Sequence, residues 1–408
     1  MNVRRSAAAL AALGVLAAAA PAMAADPSPS APPKVTVPAA LFGKTDPTYD
    51  GVWRQSLSLI AQHTAGERPA ASAVSWLAAQ QCADGGFAAF RADPAKACGG
   101  KAGAQPDTNS TAAAVQALKA VGGHDDAVRK SVTWLKSVQD KDGGWGYMAG
   151  GPSDTNSTSV VVGALAAAGE DTAGLRAQGR TPLDALASLA LPCSADGGGS
   201  FAYQPDKKGK LAANADATAA GVLGALGKGF VVEPGKAHGK APACASGKPT
   251  AQLLAGNASA YLAGAVAKSG HLMSVMPGAT DQPDFGNTAD TVVALAADGR
   301  TGEARKPYAW LEKNATAWAA QSGPAAYAQL ILSSHALGES PRDFAGTDLV
   351  KALDKLGPAP QKAAKAGGHE EKSAKKSSST SVWWIVGVGL VFGIGIGFLL
   401  SGRKKRQP

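Results

Sequence analysis

Residues 107–122 read DTNSTAAAVQALKAVG and residues 154–169 read DTNSTSVVVGALAAAG, two copies of one pattern sixteen residues long. Each opens with a side chain that caps a helix start, runs through small apolar residues, and closes on the Gly that commonly ends a helix. Outward from this pair, the same frame fits NADATAAGVLGALGKG at 214–229 and NTADTVVALAADGRTG at 287–302. Weaker copies are GVWRQSLSLIAQHTAG at 51–66 and GPAAYAQLILSSHALG at 323–338. The ninth position is apolar in all of them: Leu59, Val115, Val162, Val222, Leu295 and Ile331. Between the windows, second helices are predicted at 71–81, 127–139, 182–190, 252–268, 306–320 and 346–356. Similar hairpins bury their faces only by stacking on one another. The expected fold is all-α: six helix pairs over residues 49–356, closed into an (α/α)6 toroid or barrel. An open solenoid is the other way to stack them.

Composition fits close helix packing. The chain has 408 residues, 45% of them hydrophobic but only 6% aromatic, with 50 Gly, so small side chains supply much of the bulk. The formal charge of +9 suggests an acidic partner until it is located. Residues 26–350 carry 27 basic and 28 acidic side chains, and the excess lies at the two ends. A nucleic-acid binder would carry its basic footprint on the fold, so that class is set aside.

The ends read as address and anchor. Arg4 and Arg5 precede a short apolar run that ends at Ala22-Met23-Ala24. That is the pattern of a secretory signal peptide over residues 1–24. Residues 25–48, with Pro and Ser interleaved at their start, are expected to be a disordered lead-in. Val382 to Leu400 carries no charge and is long enough to span a bilayer as a C-terminal transmembrane helix. Trp383 and Trp384 sit at its interface, and Arg403-Lys404-Lys405-Arg406 follows. The positive-inside rule places residues 401–408 in the cytoplasm and the ectodomain outside a single-pass cell membrane protein. Residues 357–381 form a charged flexible stalk. Gly389, Gly393 and Gly397 make overlapping GxxxG steps that suit a weak homodimer.

A second signature appears in the outer segments. Trp76-Leu77 is followed by Gln81 and Asp84-Gly85-Gly86-Phe87, and Trp134-Leu135 by Gln139 and Asp142-Gly143-Gly144-Trp145. The turn alone recurs at Asp196-Gly197-Gly198. This resembles the QW motif of the prenyltransferase and squalene cyclase repeat family, whose fold is an α/α toroid. The resemblance implies that the six repeated windows are the inner helices, all running the same way. In physical terms the motif is structural: Asp-Gly makes a turn, and the following aromatic fills the gap between layers. Asp84, Asp142 and Asp196 are therefore expected to be turn formers and not calcium ligands.

The family's chemistry is missing. Its cyclases protonate an alkene with DxDD or DCTAE, and neither string occurs here. Its protein prenyltransferases hold zinc with Asp, Cys and His. The histidines at 63, 124, 238, 271, 335 and 369 lack metal-ligand spacing, and His271 and His335 read as ordinary polar positions. The acid pair Asp125-Asp126 opens an outer helix, where a solvated cap is expected. No catalytic residue, metal or cofactor is expected. The four Cys of an exported chain suggest two disulfides. Cys82 and Cys98 flank one loop, which leaves Cys193 with Cys244.

If the windows are inner helices, their starts meet at one rim. The first column holds Asp107, Asp154, Asn214 and Asn287; the third holds Asn109, Asn156 and Asp216; the fifth holds Gln55, Thr111, Thr158, Thr218, Thr291 and Tyr327. Capping needs one polar residue per helix, and here up to three recur. A polar ring above an apolar barrel suits one large amphiphilic small molecule. Among toroid proteins, the helical domain of the extracellular corrinoid carriers (transcobalamin and intrinsic factor) looks similar in its opening helix GVWRQSLSLIA and in the Asp or Asn with Thr at its helix starts. A smaller β-domain such as closes over the corrinoid in those carriers is not expected here, since stalk and anchor are read after Leu356. Three functions compete: a membrane-anchored receptor for a corrinoid-like or isoprenoid ligand that hands it to a membrane transporter, an extracellular cyclase or prenyltransferase-like enzyme, and a surface scaffold or adhesion protein.

Overall fold

Helices start where a side chain can satisfy the first free backbone N–H groups. In the computed structural model, which describes residues 35–99, 103–235, 237, 243–274 and 281–361, the four stronger windows begin at such caps, while the helices that start at Gly51 and Pro324 lack one. Asp107 accepts from Ser110 N, Asp154 from Ser157 N, Asn214 from Ala217 N and Asp284 from Asn287 N. In chain order the helices are α1 (Gly51–Thr64), α2 (Ala71–Ala79), α3 (Thr108–Val121), α4 (Asp125–Ser137), α5 (Thr155–Ala167), α6 (Pro182–Leu189), α7 (Ala215–Ala225), α8 (Ala251–Val266), α9 (Phe285–Ala297), α10 (Thr301–Ser322), α11 (Pro324–Ala336) and α12 (Leu349–Asp354). Two short antiparallel pairs join β1 (Phe87–Ala88) to β2 (Pro106–Asp107) and β3 (Leu272–Ser274) to β4 (Gln282–Asp284).

The odd-numbered helices form the inner layer. Each packs on the next, and α11 packs back on α1, so the ring is closed and the open solenoid is excluded. Each even-numbered helix backs the inner helix before it. The inner seams are built from small residues, among them Ala112, Ala117, Ala219, Ala289 and Ala328, all fully buried. Close approach is obligatory: a Cβ on Gly224 of α7 would lie 2.3 Å from Ser159 Oγ of α5.

The turns after α2, α4 and α6 each staple two inner helices together. Ala89 O accepts from Val52 N of α1, while Phe87 N donates to Thr111 Oγ1 of α3. One repeat on, Tyr147 O accepts from Thr108 N and Trp145 N donates to Thr158 Oγ1. Next, Tyr203 O accepts from Thr155 N and Phe201 N donates to Thr218 Oγ1. The aromatics Phe87, Trp145 and Phe201 are fully buried between the layers. Asp84 and Asp142 act as expected, accepting from Gly86 N and Gly144 N within their own turns. Both disulfides form in the expected pairing, Cys82–Cys98 and Cys193–Cys244.

The structure corrects two expectations. The window at 287–302 is out of register by three residues: α9 starts at Phe285, Asp284 is its cap, and Thr288, not Thr291, accepts from Leu272 N. Asp-Phe-Gly hid the start, because Asn287 and Thr288 imitate the opening of the other copies. The lead-in is not disordered throughout. Leu41 and Phe42 are buried, Phe42 N donates to Gln55 Oε1, and Gly43 N donates to Leu356 O. The signal peptide, the transmembrane segment 382–400 with its Gly steps, the cytoplasmic tail and nearly all of the stalk lie outside the described residues. Among the described residues no helix is long and apolar enough to cross a membrane.

Candidate functional site

The starts of α3, α5, α7 and α9 bring a set of carboxyls and amides to one rim. Asp107 and Asp154 are almost wholly buried at their caps. A carboxylate removed from water is destabilised relative to the neutral acid. Burial therefore pushes Asp107 up to about 7, against the downward pull of hydrogen bonds from Ser110 and Asn109. Asp154 rises to about 6 for the same reason, although Ser157, Asn156 and the Tyr203 hydroxyl donate to it. Burial, then the nearby Asp154, holds the Tyr203 hydroxyl in its protonated form; burial, then Asp107, does the same for Tyr147.

Asn156 of α5 and Asp216 of α7 meet across the seam, with Asn156 Nδ2 donating to Asp216 Oδ2 at 2.8 Å. Asp216 is pushed up to about 7, first by burial and then, after that hydrogen bond is counted against it, by Asp284 and Asp154. Asp216 as a whole is only half-buried, yet its Oδ1 is enclosed. Neither that atom nor Asn156 Oδ1 has a hydrogen-bond partner among the described residues. Both oxygens thus have unmet capacity: Asn156 Oδ1 can accept from a donor outside the chain, and Asp216 Oδ1 can accept when ionised or donate when protonated.

The other rim residues divide sharply. Thr111, Thr158 and Thr218 are fully buried and hold the staples, so they are fastenings of the ring. Thr291 is also buried and donates to Asn287 O one turn back. Gln55 is spent on Phe42 N, Ala40 O and Ala73 O. Asn214 is a plain cap, and Asn287 donates to the cap Asp284. Asn109 is buried beside the Thr108 hydroxyl, which donates to it. Tyr327 stays half-buried on α11. Below the rim, the edge-to-face contact of Trp53 with Phe230 brings a residue from beyond α7 into the barrel.

Sequence reasoning missed one pair. Gln329 Nε2 of α11 lies 3.2 Å from each carboxylate oxygen of Asp290 on α9, and both residues are buried. Counted from the true caps, both stand at the seventh position, where α3, α5 and α7 have Ala113, Val160 and Ala220 and α1 has Ser56. Long polar side chains in that column of small residues were the available signal, and the three-residue slip in α9 concealed Asp290. Among the described residues no group of His, Cys, Asp or Glu has the geometry to hold a metal ion.

The match to a family profile agrees with this architecture. Residues 53–219 match the family profile described as Prenyltransferase alpha-alpha toroid domain. Among solved structures, a protein from Actinoplanes is 13% identical over 74% of this chain and 95% of its own, with a TM-score of 0.47. A type II terpene cyclase from Scytonema is 14% identical, covering 68% of this chain and 74% of its own at a TM-score of 0.40. A glycosidase is 14% identical, covering 74% and 92% at 0.44. Likenesses this distant carry no argument about function. No curated protein matches the chain, and none of these findings supports the resemblance to corrinoid carriers.

Proposed function

We propose, for a chain whose residues 53–219 match the prenyltransferase alpha-alpha toroid domain, that the N-terminal rim of the inner helices binds a bulky amphiphilic small molecule that presents N–H or O–H donors. The observation that carries this reading is the enclosed, unpartnered pair Asn156 Oδ1 and Asp216 Oδ1. A buried polar atom without a partner typically costs ~1–3 kcal/mol, so two on side chains already in contact favour a ligand that satisfies them. The pair favours a ligand rich in amides or hydroxyls, as a corrinoid is, over a hydrocarbon isoprenoid. The segment 382–400 anchors the barrel at the cell surface, and delivery to a membrane transporter is the role that such an anchor suits.

The cyclase reading rests on Asp216 as a proton donor. An acid shifted from 3.8 to about 7 releases its proton less readily than an ordinary carboxyl. Alkene protonation needs a stronger acid, not a weaker one, so the site suits binding better than cyclisation.

The test uses the full-length protein, isolated from its native membrane without denaturation and examined by native mass spectrometry. A co-purifying small molecule is expected. Asn156→Ala and Asp216→Ala should each lower its occupancy at least tenfold, about 1.4 kcal/mol in binding. Thr158→Val should melt earlier but keep its ligand. Full occupancy in both rim variants would overturn the reading.

A further inference from the structure

The opposite end of the barrel, where the inner helices stop, holds a cavity of about 460 Å³ that the rim site does not use. Its apolar side is Ile60 of α1, Ala120 of α3 and Phe230 with Val231 from the segment beyond α7. Phe230 is fixed in place: its N–H donates to Gln116 Oε1 at 2.6 Å and its ring is fully buried. The polar side is His63 and Thr64 at the end of α1, Lys119 near the end of α3, His335 of α11 and Glu233.

The donors and acceptors of this lining do not balance. Among the described residues Glu233 supplies the only carboxylate of the lining and faces His335, whose Nε2 lies 3.3 Å from its Oε2 without a hydrogen bond. Thr64 Oγ1 is buried with no hydrogen-bond partner among the described residues. Lys119 has only a loose contact, 3.7 Å, with the largely exposed Asp125. Compensation of helix dipoles accounts for basic residues in last turns. It does not account for an unpaired, enclosed hydroxyl beside them, nor for a cavity of small-molecule size.

We propose that this cavity is a second binding site, for a small organic acid whose carboxylate or phosphate head meets Lys119, Thr64 and His63 and whose apolar body lies against Ile60 and Phe230. The proposal stands apart from the rim reading, since it uses the other ends of the helices. The experiment is calorimetric titration of the full-length protein in lipid nanodiscs, with 4-phenylbutyrate and phenyl phosphate as acids, and 4-phenylbutylamine and 4-phenylbutanol as matched cationic and neutral probes. At least one acid is expected to bind, and the arm that binds more tightly identifies the head group. The amine and the alcohol should bind at least tenfold more weakly. Thr64→Val and Lys119→Met should each weaken acid binding at least fivefold, and Ala120→Phe, which fills the half-open cavity, should abolish it. Melting curves of the three variants establish that they are folded. Absence of acid binding at millimolar concentration, equal binding of all four probes, or unaltered binding in folded Ala120→Phe would each overturn the proposal. Loss of the co-purifying ligand in Asn156→Ala, measured separately, reports only on the rim.

Discussion

Single residues at the rim do two different jobs, and pH separates them. Asp107, Asp154 and Asp216 keep protons to about 7, about 6 and about 7 in the folded chain, against 3.8 ordinarily. Between roughly pH 4 and 7 the folded state therefore binds more protons than the unfolded state. Stability must fall as pH rises through that window and level off above it. Each unit of separation is worth ~1.4 kcal/mol. The carboxyls shifted the other way, Asp46, Asp184 and Asp206, are exposed and offset little of this. Asp107→Asn keeps a capping oxygen but cannot ionise. Its melting temperature should depend less on pH between 4 and 7 and should exceed that of the natural protein at pH 8; an unchanged slope would refute the assignment. Thr158→Val removes the acceptor of Trp145 N–H. A buried donor left unpaired should lower stability by ~1–3 kcal/mol, measurable by urea denaturation.

At the scale of an element, the Asp-Gly-Gly turn is a joint between neighbouring repeats. Gly143 has φ +93, and a Cβ there would lie 2.2 Å from Thr181 O, at the start of α6. Gly150 also has positive φ, at +76, but nothing lies within 4 Å of where its Cβ would be. The pair separates backbone strain from collision. Gly150→Ala should cost on the order of 1 kcal/mol, from conformation alone. Gly143→Ala should cost several kcal/mol or fail to fold, because the backbone of α6 must move. Equal urea midpoints for the two variants would mean that α6 is not held against this turn.

At the scale of the whole domain, the described residues 35–361 form a ring whose first and last described segments are joined. Phe42, fully buried, lies against Gly357, where a Cβ would come within 2.4 Å of its ring. Gln361 continues the clasp, its N–H donating to Arg68 O and its side chain to Pro69 O. Phe42→Ala should cost ~3–5 kcal/mol, as buried aromatics do. Denaturation followed by Trp fluorescence and by circular dichroism should still give one shared transition, because a closed ring has no free end from which to fray. The two disulfides span 16 and 51 residues. On loop entropy the shorter is worth ~3 kcal/mol and the longer ~4 kcal/mol. Replacing Cys193 and Cys244 by Ser should therefore lower the melting temperature more than replacing Cys82 and Cys98.

The sequence by itself determined the helix pairs, the starts of α3, α5 and α7, the turns and the disulfide partners, because caps, Gly stops and Asp-Gly turns act over four or five residues. It determined the toroid as well, since repeated hairpins have few ways to hide their faces, although choosing the ring over the solenoid needed the contact of α11 with α1. Tertiary structure alone decided which rim residues are free. Thr111, Thr158 and Thr218 read like ligand contacts in a column, yet each is held by a backbone N–H from a turn more than ten residues away in the chain. Asn156 and Asp216 lie 60 residues apart and become a pair only when α5 meets α7. The register of α9, and with it the Asp290–Gln329 pair, was likewise fixed by packing. Local patterns specify what a side chain offers. Which neighbours consume that offer is set by the folded ring, where long-range contacts decide which polar atoms are satisfied and which are left to a ligand.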